Sequence, residues 1–420
     1  MTSAPSESST PPRHVVVVGA GMVGLSTAWF LQERGAAVTV IDRVGVAAGA
    51  SWGNAGWVCP GLVSPLPEPS VLRYGLRALF DPSAALYVPP TIDVGLWRFL
   101  VGFATHCTTT QWTRSMKGYL DVNRRALEAF DDLRAGGIAA PANDAPIMMA
   151  FQHADEAEAM RHELEQFARL GQALDVTELR GDAIHAAAPQ VASGTQLVLQ
   201  LNGQRYIDPG DYVNQLAAAV IQRGGSIRSP MHVDSVRRQA KGVIVLAREG
   251  SVHADAAVVA TGSWFNGLTS SLGVRRRVQA GRGYSFSVAT DVPVPAPLYL
   301  PTSRVACTPY RGGMRVGGTM EFRSVDAPID PKRVAALVKS AKPLITGVDW
   351  DSISDEWVGS RPVGVDGLPF VGATKVPGVF VAGGHGMWGI TLGPITGKLL
   401  AEEMMTGVRP AALRPFDPLR

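Results

Sequence analysis

The feature that most constrains the fold is a glycine-rich turn near the start of the sequence, Gly19-Ala-Gly21-Met-Val-Gly24. A run of valines at residues 15–18 precedes it and predicts a buried parallel strand, and the segment from Leu25 predicts a helix. At this spacing the first glycine permits a tight turn, the second lets the backbone approach a pyrophosphate, and the third lets helix and strand pack closely. The helix N-terminus presents free N–H groups to phosphates. The stretch therefore predicts a dinucleotide site.

A second predicted strand, residues 37–41, ends at Asp42, at the distance from the glycines where a carboxylate holds ribose hydroxyls. Residues 15–31 carry no charge and follow Arg13, so a signal-peptide core or a short membrane span is the competing interpretation. The three glycines, the lack of a small-residue cleavage pattern and the charges of Glu33 and Arg34 argue against both.

Composition sets the broad class. The 420 residues suffice for two or three domains, and 46% hydrophobic with 18% charged residues describes an ordinary globular protein. A formal charge of +3 is too small to predict a nucleic-acid partner. Cys59, Cys107 and Cys307 form no paired motif, which predicts neither a disulfide framework nor a metal site and indicates the reducing cytoplasm. Residues 1–12 are rich in Ser, Thr and Pro, and we expect a disordered tail.

Two further glycine turns follow predicted strands. Residues 252–259 form a strand that reaches Gly262, and residues 378–382 form a strand that leads into residues 383–389 and a helix from Pro394. Together with the first turn they predict convergence on one bound dinucleotide. The small residues of 45–56 predict a wall that lies close to a planar ligand. A helix N-terminus aimed at a flavin would stabilise the negative charge of the reduced ring.

The remaining patterns predict a second, discontinuous domain. Asp208 caps a helix that runs to Gln222, residues 279–316 are β-rich with a hairpin turn at 310–313, and residues 331–342 predict a helix. The expected fold class is α/β, a two-dinucleotide-binding-type (Rossmann-like) domain with an α+β substrate domain built on a β-sheet. We assign residues 13–60, 200–270 and 356–410 to the first domain and residues 61–199 and 271–355 to the second.

Residues 60–107 are rich in Pro, Leu, Trp and Phe. One interpretation is a surface that touches a membrane or a redox partner through amphipathic insertion, and it would place the protein at the inner face of the membrane. The other interpretation, buried helices of the second domain, is favoured because apolar helical faces usually pack on a core.

Five motifs together resemble the D-amino-acid dehydrogenase branch of the D-amino-acid-oxidase-like flavoenzymes. They are Gly53-Asn-Ala-Gly56, Arg282-Gly-Tyr-Ser285, Arg315-Val-Gly-Gly318, Arg361-Pro…Asp366-Gly-Leu-Pro-Phe-Val-Gly372 and Gly384-His-Gly386. The resemblance covers nearly the whole chain after His14. It implies bound FAD, with the pyrophosphate on the first glycine turn, the ribose on Asp42 and the adenine against the backbone of Val233. No cysteine stands where sarcosine oxidases attach their flavin, so the FAD is expected to be non-covalent.

The resemblance also implies individual site residues. Arg361 matches the arginine that holds the substrate carboxylate in glycine oxidase-like relatives, and Tyr284, Met387 and Trp388 are expected beside it. A second carboxylate arginine would fall at Met387 and a substrate-facing tyrosine near Ala306, and both departures indicate a larger, more apolar side-chain pocket. The expected cofactor contacts are Gly19, Ala20, Gly21, Met22, Val23, Gly24, Asp42, Arg43, Ala50, Ser51, Asn54, Ala55, Gly56, Val233, Ala260, Gly262, Trp264, Gly384, His385, Gly386, Gly389, Ile390 and Thr391.

The implied reaction is oxidative deamination of a D-amino acid, in which hydride leaves Cα for flavin N5 and the imine hydrolyses to a 2-oxo acid and ammonia. Positioning rather than acid–base catalysis is then the task of the protein, so no catalytic acid or base is expected and His385 is interpreted as a shape and hydrogen-bonding element. The expected electron acceptor is a quinone or an artificial dye rather than oxygen. Oxidation of a secondary amine (sarcosine, an N-substituted glycine or a proline derivative) is one alternative, and a flavin-binding subunit that serves an electron-transfer partner is another.

Overall fold

The computed structural model describes residues 11–78, 81 and 84–420. Of the predicted disordered tail, residues 1–10 lie outside the described residues. The α-helices within the described part are α1 (Met22–Glu33), α2 (Pro69–Ala78), α3 (Val94–His106), α4 (Thr109–Ala135), α5 (Glu158–Arg169), α6 (Asp182–Ala187), α7 (Pro209–Gln222), α8 (Phe265–Thr269), α9 (Pro331–Ala341) and α10 (Gly389–Thr406).

The described residues also form β-strands, several of which follow one another without a helix between them. They are β1 (His14–Val18), β2 (Ala37–Ile41), β3 (Trp57–Val58), β4 (Leu86–Tyr87), β5 (Asn143–Asp144), β6 (Ile147–Phe151), β7 (Val176–Leu179), β8 (Leu197–Leu201), β9 (Arg205–Tyr206), β10 (Ser226–Arg228), β11 (Val233–Arg238), β12 (Val243–Ala247), β13 (Gly250–Ala254), β14 (Ala256–Val259), β15 (Val278–Thr290), β16 (Leu298–Leu300), β17 (Val305–Tyr310), β18 (Gly313–Phe322), β19 (Val348–Gly364), β20 (Phe370–Ala373) and β21 (Val379–Gly383).

The first glycine turn leaves the centre of a six-stranded sheet. Its strand order is β10-β2-β1-β14-β21-β20, parallel except for the last strand. Because β1 pairs with β2 on one side and with β14 on the other, the chain order reverses at β1. Ligands of such sheets bind beyond the carboxyl ends of the strands at this reversal point, which is where Gly19 lies.

This sheet is covered on both faces, which makes the predicted Rossmann-like layer arrangement. Helices α1, α4, α7 and α10 pack on one face, and the small antiparallel sheet β11-β12-β13 packs on the other. Helix α1 is enclosed between the sheet and α10, and the backbone of α10 at Gly397 comes so close that a Cβ there would stand 2.6 Å from the nitrogen of Thr27. Burial of α1 explains the uncharged run at residues 15–31 without a signal peptide or a membrane span.

A second sheet carries the other part of the molecule. Its order is β19-β15-β18-β17-β16-β6-β8-β7, with β4 added beside β18. Helix α9 and the short α6 contribute to the apolar core on one of its faces. The predicted domain boundaries at residues 200 and 356 fall inside β8 and β19. Helix α4, predicted within the second domain, packs in the core of the first. The division into two domains thus stays a prediction.

Three predicted elements differ in extent from the observed ones. The single strand expected at residues 252–259 is divided into β13 and β14 at Asp255, because its carboxylate accepts hydrogen bonds from the N–H groups of Arg13 and His14. The last helix begins at Gly389 and holds Pro394 inside it, rather than beginning there. The amphipathic periodicity of residues 120–133 predicts a helix, and the observed α4 is longer, because it begins at Thr109 with Thr108 as its cap.

The segment at residues 60–107 fits neither of its two interpretations alone. Helix α3 buries Leu96, Phe99 and Phe103 in an apolar cluster, as expected for a domain helix. Its opposite side exposes apolar residues, since Val94 is 79%, Trp97 41% and Val101 65% exposed. Among the described residues, no helix combines the length and the apolar character needed to span a bilayer.

Candidate active site

A cavity of about 1130 Å³ extends from the carboxyl ends of β1, β2 and β14 to the nine-stranded sheet. All three predicted glycine turns border it, so the structure brings together segments that lie more than 200 residues apart in the chain. Eighteen of the predicted cofactor residues line this cavity: Gly19, Gly21, Met22, Val23, Asp42, Arg43, Ala50, Ser51, Asn54, Ala55, Val233, Ala260, Gly262, Trp264, His385, Gly386, Gly389 and Ile390.

The first turn is shaped by two close backbone contacts. Gly19 has φ +120°, and a Cβ there would stand 2.3 Å from the carbonyl oxygen of Ala260. A Cβ on Gly24 would stand 1.9 Å from the carbonyl oxygen of Gly19. Neither position accepts a side chain, so both glycines are required by packing. Gly21 precedes α1 without a side-chain cap of its own, and no acidic residue occupies the first turn. The end of α1 is therefore suited to a phosphate.

Asp42 holds this turn in place. One carboxylate oxygen accepts the N–H of Ala20 at 2.9 Å, and the other accepts the N–H groups of Val44 and Gly45 at 2.8 and 3.0 Å. The carboxylate thus couples the end of β2 to the glycine turn on β1. The predicted ribose contact uses the same side chain, which still borders the cavity.

Five predicted cofactor residues do not border the cavity, and a direct contact of each with the cofactor stays a prediction. Ala20 gives its N–H to Asp42, Gly24 packs on Gly19, and Thr391 bonds the backbone of Trp57 and Cys59. Gly56 and Gly384 have positive φ and lie against Ile207 and Phe370, where side chains do not fit. These residues lie behind the cavity wall and support its shape.

The predicted cofactor wall is attached to the nine-stranded sheet by side chains. The carbonyl oxygen of Gly53 accepts hydrogen bonds from Ser285 at 2.7 Å and from Arg315 at 3.3 Å. The carbonyl oxygen of Ala55 accepts one from Thr308 at 2.6 Å. The motifs that contain Ser285 and Arg315 therefore position the loop between the two sheets.

The third turn ends at the N-terminus of α10, so the helix end that was predicted to face a flavin lies at Gly389, on the cavity. His385 in this turn is 2% exposed, and its Nε2 lies 3.0 Å from the hydroxyl of Thr396. Burial lowers the pKa of His385 from 6.5 to about 4. The imidazole is therefore neutral at pH 7.

Arg361 of β19 forms the cationic end of the cavity. Its side chain lies across Gly283 of β15 and donates a hydrogen bond from Nη1 to the carbonyl oxygen of Thr319 at 2.9 Å. Thr319 has φ +58°, at an irregularity in the β15–β18 pairing that turns this carbonyl toward the guanidinium. Among the described residues no carboxylate forms an ion pair with Arg361. Burial lowers its pKa to about 10, so it remains charged.

The other predicted substrate residues occupy different surroundings. Met387 and Trp388 border the cavity, and the indole of Trp388 donates to the carbonyl oxygen of Ser64 at 2.8 Å. Tyr284 also borders the cavity, but its ring lies in the core of the nine-stranded sheet and its hydroxyl donates to Glu321 at 2.7 Å. The hydroxyl of Tyr284 is thus engaged with Glu321, and a contact of Tyr284 with the substrate stays a prediction beside the equal interpretation of a packed sheet tyrosine.

Sequence reasoning missed several groups on the cavity. The cavity is also lined by three residues beside Val233 that belong to no motif, namely His232, Asp234 and Arg248. At the other end, Glu68, Glu156 and Glu163 border the cavity, and no motif in the sequence marks them. These residues lie far from the glycine turns in the sequence and come near them only in the folded chain.

The cavity fits an adenine dinucleotide with a flavin. It is large enough for such a ligand and a substrate, since single-ligand pockets span about 300–1,000 Å³. The buried hydroxyl of Thr261, at the second glycine turn, has no hydrogen-bond partner in the described part of the chain and borders the cavity. An acceptor or donor of a bound ligand would satisfy it.

Comparison with known proteins agrees with this geometry. The family model described as FAD dependent oxidoreductase (DAO) matches residues 14–403. A D-amino acid dehydrogenase of Cereibacter sphaeroides (strain ATCC 17029) is 30% identical over 399 residues, which are 92% of this chain and 91% of that protein. A D-amino acid dehydrogenase of Azorhizobium caulinodans is 28% identical over 409 residues, 94% of this chain and 96% of that protein.

Solved structures support the same fold. Glycine oxidase from Geobacillus kaustophilus matches with a TM-score of 0.74 at 22% identity, covering 98% of this chain and 99% of that one. Iminodiacetate oxidase from Chelativorans sp. BNC1 matches with a TM-score of 0.72 at 20% identity, covering 96% and 98%. The resemblance inferred from the motifs and the predicted fold class are confirmed. The chain belongs to the DAO family of FAD dependent oxidoreductases.

Proposed function

We propose that this flavoenzyme oxidises a D-amino acid to the imine, which water hydrolyses to a 2-oxo acid and ammonia. The observation that carries the proposal is Arg361, whose half-buried guanidinium borders the cavity and has no carboxylate partner among the described residues. The names of relatives at about 30% identity support the same substrate class. When bound, FAD supplies a ring that accepts the two electrons and the hydrogen released from Cα.

Substrate positioning follows from the residues around Arg361. A guanidinium can hold a carboxylate by two parallel hydrogen bonds, which fix the orientation of Cα as well as its distance. The hydrogen bond to Thr319 and the missing side chain of Gly283 fix the guanidinium in turn. Neutral His385 lies on the same cavity and does not repel the substrate ammonium group.

The direct test is anaerobic reduction of the purified holoprotein. We expect D-amino acids to bleach the flavin absorbance, while L-amino acids, glycine and sarcosine leave most of the absorbance unchanged. Bleaching by sarcosine or an N-substituted glycine in preference to every D-amino acid would replace the proposal by secondary-amine oxidation. A flavin that no amine reduces would support the role of a cofactor-binding subunit.

We further propose that the FAD is held without a covalent bond. None of Cys59, Cys107 and Cys307 borders the cavity, and all three are described and buried. Burial raises the pKa of Cys59 to about 12 and that of Cys107 to about 11, so neither provides a thiolate. Acid precipitation should leave the yellow colour in the supernatant, and flavin retained by the pellet would contradict this.

The proposed electron acceptor is a quinone or a dye rather than oxygen. The name dehydrogenase of the relatives supports this, and the exposed apolar side of α3 offers a surface for an apolar acceptor or for peripheral membrane contact. In air, without added acceptor, we expect hydrogen peroxide to form far more slowly than substrate is consumed in the presence of a dye. Equal rates would identify an oxidase.

A further inference from the structure

The cavity has a second charged end that the proposed reaction does not use. Glu163 projects from α5 and Glu68 precedes α2, and both border the cavity together with Glu156. The hydroxyl of Ser70 donates to Glu68 at 2.8 Å. Arg304 also lines this end, so among the described residues three carboxylates and one guanidinium border it.

Glu163 is the central acid of this group. Burial raises its pKa to about 7, nearby Glu68 raises it further and Arg304 lowers it. Glu163 forms no ion pair or hydrogen bond within the described part of the chain. Tyr299, which is partly buried, borders the cavity together with these residues.

The register of the nine-stranded sheet separates the two ends. Arg361 bonds the carbonyl oxygen of Thr319 on β18, whereas Tyr299 lies on β16, two strands further along. Neighbouring strands lie about 4.8 Å apart, so Thr319 and Tyr299 lie on strands roughly 10 Å apart. The register partners between them are Gly317 and Ala306, which border the cavity and carry no bulky side chain.

We propose that the cavity selects an amino acid with a positively charged side chain, whose carboxylate contacts Arg361 and whose terminal cation contacts Glu163 and Glu68. This inference rests on the proposed function. Basic side chains carry a cation at the end of a long chain, since an extended lysine or arginine has its charge roughly 6–7 Å from Cα when each bond of about 1.5 Å advances about 1.3 Å. A short apolar side chain leaves the acids unpaired.

The experiment compares matched substrates on the holoprotein. D-arginine and D-citrulline have nearly the same shape, but only D-arginine is charged. We expect kcat/KM for D-arginine to exceed that for D-citrulline at least tenfold, and D-lysine to exceed D-norleucine similarly. A binding readout without turnover uses 5-guanidinopentanoate, which lacks the α-amine, against its neutral ureido analogue in a titration of the flavin spectrum.

Variants assign the preference to the acidic end. Glu163→Gln keeps the shape of the side chain and should lower kcat/KM for D-arginine ten- to a hundredfold while D-citrulline stays within threefold. Glu68→Gln should act in the same direction. Glu165→Gln is the matched control, because Glu165 lies on the same helix but is 60% exposed and pairs with Arg169. Retained FAD and an unchanged melting temperature establish that each variant is folded.

The outcomes separate the two proposals. If D-citrulline and neutral D-amino acids are oxidised as well as D-arginine, or if Glu163→Gln lowers both substrates equally, the selection of cations is wrong and the proposed reaction stands. If no D-amino acid reduces the flavin, the proposed reaction is wrong. Tighter binding of 5-guanidinopentanoate than of its ureido analogue, lost in Glu163→Gln, supports a cation site independently of turnover.

Discussion

The guanidinium of Arg361 occupies the space that a side chain on Gly283 would fill. A Cβ at Gly283 would stand 2.2 Å from both terminal nitrogens of Arg361, although its backbone is not in the left-handed region. The glycine on β15 is therefore a condition for the position of the arginine on β19, and the two residues act as one unit.

We expect Gly283→Ala to displace the guanidinium and to lower kcat/KM for a D-amino acid at least a hundredfold while FAD stays bound, because misplacement of about 1 Å can cost that factor. Steady-state kinetics and the flavin spectrum measure the two effects. Gly102→Ala is the control, since a Cβ there makes only an ordinary 3.4 Å contact with Val365. Unchanged kinetics of Gly283→Ala would show that Arg361 moves without consequence.

Removal of the Arg361 guanidinium should lower kcat/KM more than its displacement does. Loss of one partner from a buried ion pair costs about 3–5 kcal/mol. At about 1.4 kcal/mol per tenfold, Arg361→Leu should lower kcat/KM roughly a hundred- to several-thousand-fold. Arg361→Lys should recover only part, because an ammonium group lacks the two-pronged geometry. Turnover of Arg361→Leu within a few-fold of wild type would assign the carboxylate contact to another residue.

Asp42→Asn tests whether this carboxylate supports the turn or only the ribose. The substitution removes an acceptor from the N–H groups of Ala20, Val44 or Gly45, which costs about 1–3 kcal/mol. We expect weaker FAD binding and also a lower melting temperature of FAD-free protein. Calorimetry with and without FAD measures both. A change seen only with FAD would assign Asp42 to the ligand alone.

His385 predicts a specific dependence of stability on pH. Its pKa is about 4 in the folded protein and 6.5 ordinarily, so the unfolded chain binds more protons between these values. Stability is therefore lost as the pH falls from about 6.5 to 4, by at most about 3 kcal/mol. Denaturant unfolding at pH 7 and pH 4.5 should show a smaller difference in His385→Gln than in wild type. Equal differences would exclude this contribution.

The sequence predicted the elements that depend on local spacing. Strand β2 ends at Ile41 as predicted, Asp208 caps α7, and the hairpin turn joins β17 to β18 at residues 311–312. These features follow from short-range hydrophobic periodicity and turn chemistry. The convergence of the three glycine turns on one cavity could also be predicted from the sequence, because parallel strands end at the same edge of a sheet.

The features that could not be predicted from the sequence depend on how distant segments are aligned in the folded chain. Nothing near Glu163 indicates that α5 faces a cavity, and Glu163 stands about 200 positions from Arg361 in the chain. Tyr284 alternates along β15 with Ser285, and a single position decides which of the two faces the cofactor wall and which faces the core. Motif matching named both residues without separating their faces.

The order of strands in the six-stranded sheet also determines when the protein can receive its cofactor. Strand β1 can pair early with β2, but Val15 also pairs with Ala256, and Ala257 pairs in turn with Val379, so the second neighbour of β1 and the strand beyond it form only after much of the chain has been synthesised. Until then β1 has an open edge, which is prone to pair with other chains. FAD therefore binds late in biosynthesis. A shortage of the cofactor should cause nearly complete chains to aggregate, in addition to the loss of activity.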